Sequence, residues 1–242
     1  MDLVIPQCQR WRSVHFLVDR ACVLNWLRPL NGRLDQLQRL EVERFGYYGA
    51  GTMFPDVFST APNLREIIGM VKSIQIPWGQ VTRYRADQYF DVPVSSTLVQ
   101  LDLWNCTLQP GLVSVLSRLP NLRHLLLGDN SSLEHARDLF FHSMTIHGVP
   151  TDLCPNLTSL IYGYASPWLQ NVFFDMVQSR FRSYGPGRLT SLRIFNLENA
   201  RMPPPQDMVD QTKILQNEGF DAVFLGERDV ERMRERAWFR KE

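Results

Sequence analysis

The 242-residue sequence holds only four cysteines, Cys8, Cys22, Cys106 and Cys154, and no two of them form a C-x-x-C pair. That usage excludes a close-spaced disulfide framework and reads as buried free thiols in a reducing compartment. An excess of one charge is also missing, since 26 Lys and Arg stand against 25 Asp and Glu. Such balance excludes a nucleic-acid wrap or a polybasic membrane anchor as the main function. No run approaches the roughly 20 apolar residues of a membrane span. The N-terminal MDLVIPQCQRWR lacks the basic start and long apolar core of a secretory signal. Without one, the Asn-x-Ser/Thr triplets at Asn105, Asn130 and Asn156 carry little weight. The expected location is therefore cytoplasmic or nuclear. What is present is a globular composition, 44% hydrophobic with 14 Phe, 7 Tyr and 6 Trp, which excludes disorder.

Internal repetition organises the chain. Leu98-Val-Gln-Leu101-Asp-Leu103-Trp-Asn-Cys106-Thr-Leu108 fits L-x-x-L-x-L-x-x-N/C-x-L at every specified position, and Leu122-Arg-His-Leu125-Leu-Leu127-Gly-Asp-Asn130 repeats it. Weaker copies begin at Trp11, Leu37, Leu64, Val81, Leu157, Leu189 and Phe220, so that successive first positions lie 17 to 35 residues apart. Positions 1, 4 and 6 of each copy are expected to point into a shared core from a short strand. Position 9, Cys106 or Asn130, is expected at the bend where the chain leaves that strand. One coil cannot bury its leucines alone, whereas stacked coils build a continuous core and a parallel sheet. The expected fold is α/β: an irregular leucine-rich-repeat solenoid, or horseshoe, with a parallel sheet on its concave side and helices and loops on its convex side.

Helices are expected over Asp19–Leu30, Gly111–Leu119, Ser131–Ser143, Ser166–Phe181 and Pro205–Asn217, the last ending before a C-capping Gly219. The solenoid is expected to occupy residues 1–225. Residues 226–242, a helix of mixed charge, cap its last coil through Val230, Met233 and Trp238. Residues 1–10 offer no polar cap, so Val14 and Phe16 are expected along an open edge that an upstream segment or a partner covers.

Four segments carry a resemblance: Arg10-Trp11-Arg12, Ala61-Pro62-Asn63-Leu64, Ile76-Pro77-Trp78-Gly79-Gln80-Val81-Thr82 and Glu218-Gly219-Phe220-Asp221. In that order, over about residues 8–225, the chain resembles the leucine-rich-repeat F-box proteins of mushroom-forming fungi. The resemblance implies a repeat region that presents substrates to an SCF-type ubiquitin ligase. Its F-box, which docks on a Skp-type adaptor, is absent from this sequence, so the adaptor is implied as a partner only if an F-box lies upstream. The alternative is a stand-alone structural or regulatory repeat protein with no ubiquitin link.

Catalytic signatures are sparse. His135, His142, His147 and Cys154 lack the spacing of a structural zinc site. The glycine-rich segment from Gly46 to Thr52 lacks the lysine of a phosphate loop, and no G-x-S-x-G or H-E-x-x-H occurs. Trp78 is expected to pack over the core. The reading is non-enzymatic, with no cofactor and no metal, and with neither nucleic acid nor membrane as a partner. Binding falls to side chains pointing away from the leucine core, above all positions 5 and 7 of each copy. These place Arg85, Asp102, Trp104, Arg123, Leu126, Ile161, Arg193 and Phe195 on an apolar patch with an arginine rim, suited to a protein or peptide ligand. Alternatively, the 131–149 segment or another side chain covers that patch.

Overall fold

A computed structural model describes residues 5–18, 27–44, 56–69, 75–86, 95–131, 134–147, 152–165, 171–183, 187–197 and 203–238. The chain divides into two compact units, Met1–Leu98 and Val99–Glu242. Both are built from parallel strands that neighbour one another in chain order.

The first unit holds β1 (Ser13–Val18), β2 (Arg39–Arg44), β3 (Glu66–Gly69) and β4 (Arg83–Ala86). Their register sets Val14 opposite Leu40, Leu40 opposite Ile67, and Ile67 opposite Tyr84. Leu37, Leu40, Leu64, Ile67, Val81 and Tyr84 are buried, as positions 1 and 4 require. Residues 27–30 form a 3-10 turn, and the rest of the helix expected over Asp19–Leu30 lies outside the described residues. The 3-10 turn Ile5–Arg10 buries Cys8 fully, and Phe16 sets its ring 5.9 Å from Phe58, while Leu17 on β1 stays exposed. Trp78 packs edge-on against Tyr84 at 5.4 Å, and its carbonyl accepts from the Ser95 hydroxyl at 2.9 Å.

The second unit alternates strand and helix: β5 (Gln100–Cys106), α1 (Pro110–Leu116), β6 (His124–Asp129), α2 (Glu134–Met144), β7 (Ser159–Tyr164), α3 (Asn171–Arg182), β8 (Ser191–Asn196), α4 (Gln206–Asn217), β9 (Asp221–Phe224) and α5 (Glu227–Trp238). Parallel neighbours need a crossover, and the longer repeats supply one as a helix. Leu101, Leu125, Leu160 and Leu192 stand in one register column, and Leu103, Leu127, Tyr162 and Ile194 in the next; all eight are buried. Behind them an aromatic layer ties helices to strands, with Phe141 5.3 Å from Tyr162 and 5.0 Å from Phe173. Pro110 opens α1, where its missing N–H costs nothing, and Gly219 follows α4 at φ +87°, a conformation suited to glycine.

One backbone device recurs in both units. The carbonyl of Arg12 accepts the N–H groups of Gln38 and Arg39, that of Gln38 accepts Arg65 and Glu66, and that of Arg65 accepts Thr82 and Arg83. In the second unit Val99, Arg123 and Thr158 do the same for the following coil. The Pro-Asn-Leu triplets add a side-chain rung: Asn63 donates to the Asp35 carbonyl at 2.6 Å and Asn156 to that of Pro120 at 2.9 Å.

Two repeat alignments are corrected. A bulge on β5 lets Trp104 and Asn105 share the place opposite Gly128, so Cys106 pairs with Asp129 and not with Asn130. Asp129 is therefore the buried residue at the bend, while Asn130 is exposed and donates to Asn105 at 3.0 Å. In the last copy Ala222, not Val223, stands opposite Leu192. A one-residue slip exchanges the two faces, which buries Ala222 and leaves Val223 40% exposed.

Candidate functional site

The face of β5–β8 opposite the leucine core is where the second unit departs from a plain solvated sheet. Asp102, Leu126, Ile161, Arg193 and Val223 stand in one register row across β5 to β9. The next outward row has Gly128 opposite Gly163 and Gly163 opposite Phe195, with Trp104 at its β5 end. The glycines matter sterically. A Cβ at Gly163 would overlap the Phe195 ring, and one at Gly128 would overlap the Trp104 backbone. Absence of side chains there lets the Phe195 ring lie over β7, 6.0 Å from that of Trp104.

Trp104, Leu126 and Phe195 are buried, at 8%, 4% and 1% exposure. Their cover is α5. Val230 joins them in one apolar cluster, and Ile161, Leu197, Leu225 and Met233 pack against it. The alternative that something covers the patch is thus the observed arrangement, and the cover comes from the C-terminal helix. Val230 and Met233 sit three residues apart, so they share a helix face. Arg228, Asp229, Glu231 and Arg232 remain exposed. Val230 is 3% exposed, and a side chain buried to that degree contributes about 1.5–3 kcal/mol, while Met233 is half-buried.

The polar members of the expected patch are dispersed. Asp102 is buried, a correction to its place on an open rim, and accepts both amide contacts of Gln100 at 3.2 Å. Arg193 is half-buried and clips β8 to β9, donating to the Asp221 carboxylate at 2.7 Å and the Asp221 carbonyl at 3.1 Å. Ile161 is half-buried at the edge of the apolar cluster. Arg123 is exposed just before β6. Arg85 is half-buried on β4 in the first unit, opposite Ile68.

Two buried polar networks escaped the sequence reading. Asp129 accepts from Arg137 Nε at 2.8 Å, the Tyr162 hydroxyl at 2.7 Å and the Ser131 N–H at 2.8 Å. Burial, and then the neighbouring Asp129 charge, push the Tyr162 phenol well above its ordinary range, so it stays a donor. Arg180 is fully buried and donates to the carbonyls of Met144 at 2.7 Å, Cys154 at 3.1 Å and Leu153. Both sets tie helix termini and bends to the core, which is structural work. Burial also raises the Cys106 thiol and pushes the Cys154 thiol to about 12, so neither supplies a thiolate nucleophile at neutral pH. His142 and His147 are exposed with rings 5.9 Å apart, while Cys154 is buried and directs its thiol at the Leu116 carbonyl. Among the described residues no group of three His, Cys, Asp or Glu converges as a metal site, and no helix is long and apolar enough to cross a membrane.

The signal for the glycine trough was present in the repeat itself, where Gly128 and Gly163 take the same position in successive copies. Compared with protein-family models, with curated proteins and with solved structures, the chain matches none.

Proposed function

We propose that the chain is an irregular leucine-rich-repeat solenoid that acts as a non-catalytic protein-binding module, and that, by its resemblance to fungal F-box proteins, it selects substrates for an SCF-type ubiquitin ligase. The observation that carries the binding reading is the apolar face of β5–β8, on which Trp104, Leu126, Ile161 and Phe195 pack with Val230 and Met233 of α5. Aromatic and aliphatic anchors in a desolvated centre, with arginine nearby, are the composition of a protein interface. The recurring double-acceptor carbonyl and the Pro-Asn-Leu rung support the repeat assignment. The buried ionisable groups support a scaffold and not a reaction centre, because Asp129, Arg137 and Arg180 spend their hydrogen bonds on the fold.

The test is quantitative co-purification from a cell extract with the full chain and with an Arg123→Glu/Ile161→Asp variant. Proteins retained by the native chain and lost by the variant are the expected result. A Skp-type adaptor and a cullin recovered with an F-box-bearing form of the chain support the ubiquitin assignment. Partners recovered without them favour a stand-alone interaction protein. Identical recoveries from both chains reject this face as the binding surface.

A further inference from the structure

We infer that the free edge of β1 is a second binding surface, which takes an extended segment of another protein as a strand parallel to β1, apolar at alternate residues and acidic at its start. β1 ends the run of strands, with β2 on one side and, among the described residues, no strand on the other. The Arg12 carbonyl points at β2, where it accepts the Arg39 N–H, so by alternation the backbone groups of Val14 and Phe16 face β2 as well. The N–H and C=O groups of Ser13, His15 and Leu17 therefore point away from β2, and all three residues are exposed. Natural sheets blunt such edges with proline, lysine or a bulge. β1 (SVHFLV) has none of these, and its register with β2 is unbroken. An edge left open in this way is a template for strand addition.

Three observations specify the occupant. The first is direction. In coil after coil the two N–H groups at the strand entry share one carbonyl of the coil before, as Gln38 and Arg39 share that of Arg12. The equivalent N–H groups of Arg12 and Ser13 have no such acceptor among the described residues. A strand running parallel to β1 supplies it. The second is the core column. Trp11, Val14 and Phe16 are half-buried, whereas Leu37, Leu40 and Val42, their counterparts in the next coil, are at most 2% exposed. In the last coil Phe220 and Ala222 are buried too, so this opening belongs to β1. Apolar residues at positions 1, 4 and 6 of the incoming segment close it. The third is charge. Arg10 and Arg12 are exposed where the chain enters β1, and neither side chain has a partner among the described residues. Carboxylates at the start of the incoming segment meet them. A second copy that merged its core face with this one across a two-fold axis would run antiparallel, and β1 holds no acidic residue, so a second copy supplies neither the carbonyl nor the charge.

The test uses the full chain and, as the probe, a fluorescein-labelled synthetic peptide with the sequence of residues 98–105, carrying Val99→Glu and preceded by two aspartates. Its Leu98, Leu101 and Leu103 take positions 1, 4 and 6. Saturable binding by fluorescence anisotropy is expected. A peptide with lysines in place of the added acids, and one with those acids moved to its C-terminal end, are each expected to bind about tenfold more weakly. N-methylation reads out strand addition. Methylating the amides of Leu101 and Leu103, which face β1 in a parallel ladder, is expected to abolish binding, and methylating that of Asp102, which faces away, to leave it. A His15→Pro chain loses an N–H that β2 does not use, and is expected to melt as the native chain does and to lose the peptide. No binding by the native chain overturns the inference, as does equal binding across the charge series or the methyl series, or by a folded His15→Pro chain. Self-association of the native chain that His15→Pro abolishes assigns the edge to a second copy and also overturns it. If the proline chain does not fold, the methylated peptides decide alone. Failure here leaves the β5–β8 reading standing, because that reading rests on residues of the second unit.

Discussion

The two units solve the same problem differently. Each must satisfy the sheet face opposite its leucine core, because a parallel sheet is rarely left bare on either side. The first unit does so largely with polar and charged side chains: Arg39 reaches Glu41 at 3.2 Å and Glu66 at 3.8 Å, and His15 reaches Glu43 at 3.2 Å. Glu41 is almost buried, and its second carboxylate oxygen has no hydrogen-bond partner among the described residues. The second unit does so with apolar side chains and a helix laid over them. Strand type, direction and the double-acceptor carbonyl are common to both. The connections differ, and so do the outward residues: charged on β1 and β2, where Glu41 is nonetheless buried beside Ile68 of β3, and apolar on β5–β8.

The widest contrast is Phe195→Ala against a change on the charged face. Phe195 is 1% exposed despite its outward position. Its truncation is expected to cost about 3–5 kcal/mol, as for other fully buried aromatics, in urea unfolding followed by circular dichroism. A loss below about 1 kcal/mol, the scale of an exposed contact, would mean that α5 does not cover the ring. Gly163→Ala comes next. Its Cβ meets the Phe195 ring, and overpacking of this kind is expected to cost about 1–3 kcal/mol. Adding Phe195→Leu removes the clash, so the double variant is expected to lose less than the sum of the single losses. Strict additivity would mean that the ring does not occupy the glycine trough.

On the first unit's face, His15→Ala is expected to cost no more than about 1 kcal/mol, the range of exposed polar contacts. His15 and Glu43 have side chains 41% and 30% exposed, so water competes for the contact and keeps that difference small. A larger loss would show that the outward side of β1 is closed over as Glu41 and Ile68 are.

Much of the architecture was legible because the repeat imposes it. Leucines at positions 1 and 4 fall in the core wherever the motif is strong, and the Gly219 stop signal ends α4 as its conformational freedom requires. The repeat failed where strand pairing departed from a uniform count. The bulge at Trp104–Asn105 moved the bend from Asn130 to Asp129, and the short approach to β9 exchanged Ala222 for Val223. Periodicity carries no signal for either event. The exposure of the candidate patch was illegible for a different reason. Position within a copy correctly put Trp104, Leu126 and Phe195 outside the leucine core. Their exposure, however, depends on a helix that begins more than 30 residues after Phe195 in the chain. The apolar seam of α5 was readable as Val230 and Met233, but a seam states only that something is covered. Which surface it covers is settled by tertiary contact.

The smallest expected effect is the most useful for separating stability from recognition. Arg123 lies two residues before Leu125, and the two differ in everything but location. Leu125 is 1% exposed in the leucine column, so Leu125→Ala is expected to cost about 2–5 kcal/mol. Arg123 serves the fold through its carbonyl, which accepts the N–H groups of Thr158 and Ser159 and the Thr158 hydroxyl at 3.2 Å. Alanine keeps that carbonyl, and the guanidinium lies in solvent. Arg123→Ala is therefore expected to move the urea midpoint by no more than about 0.5 kcal/mol. With the scaffold intact, any change in partner capture by this variant reports the side chain itself. A stability loss near that of Leu125→Ala would mean that the Arg123 side chain, and not its carbonyl alone, holds the turn into β6.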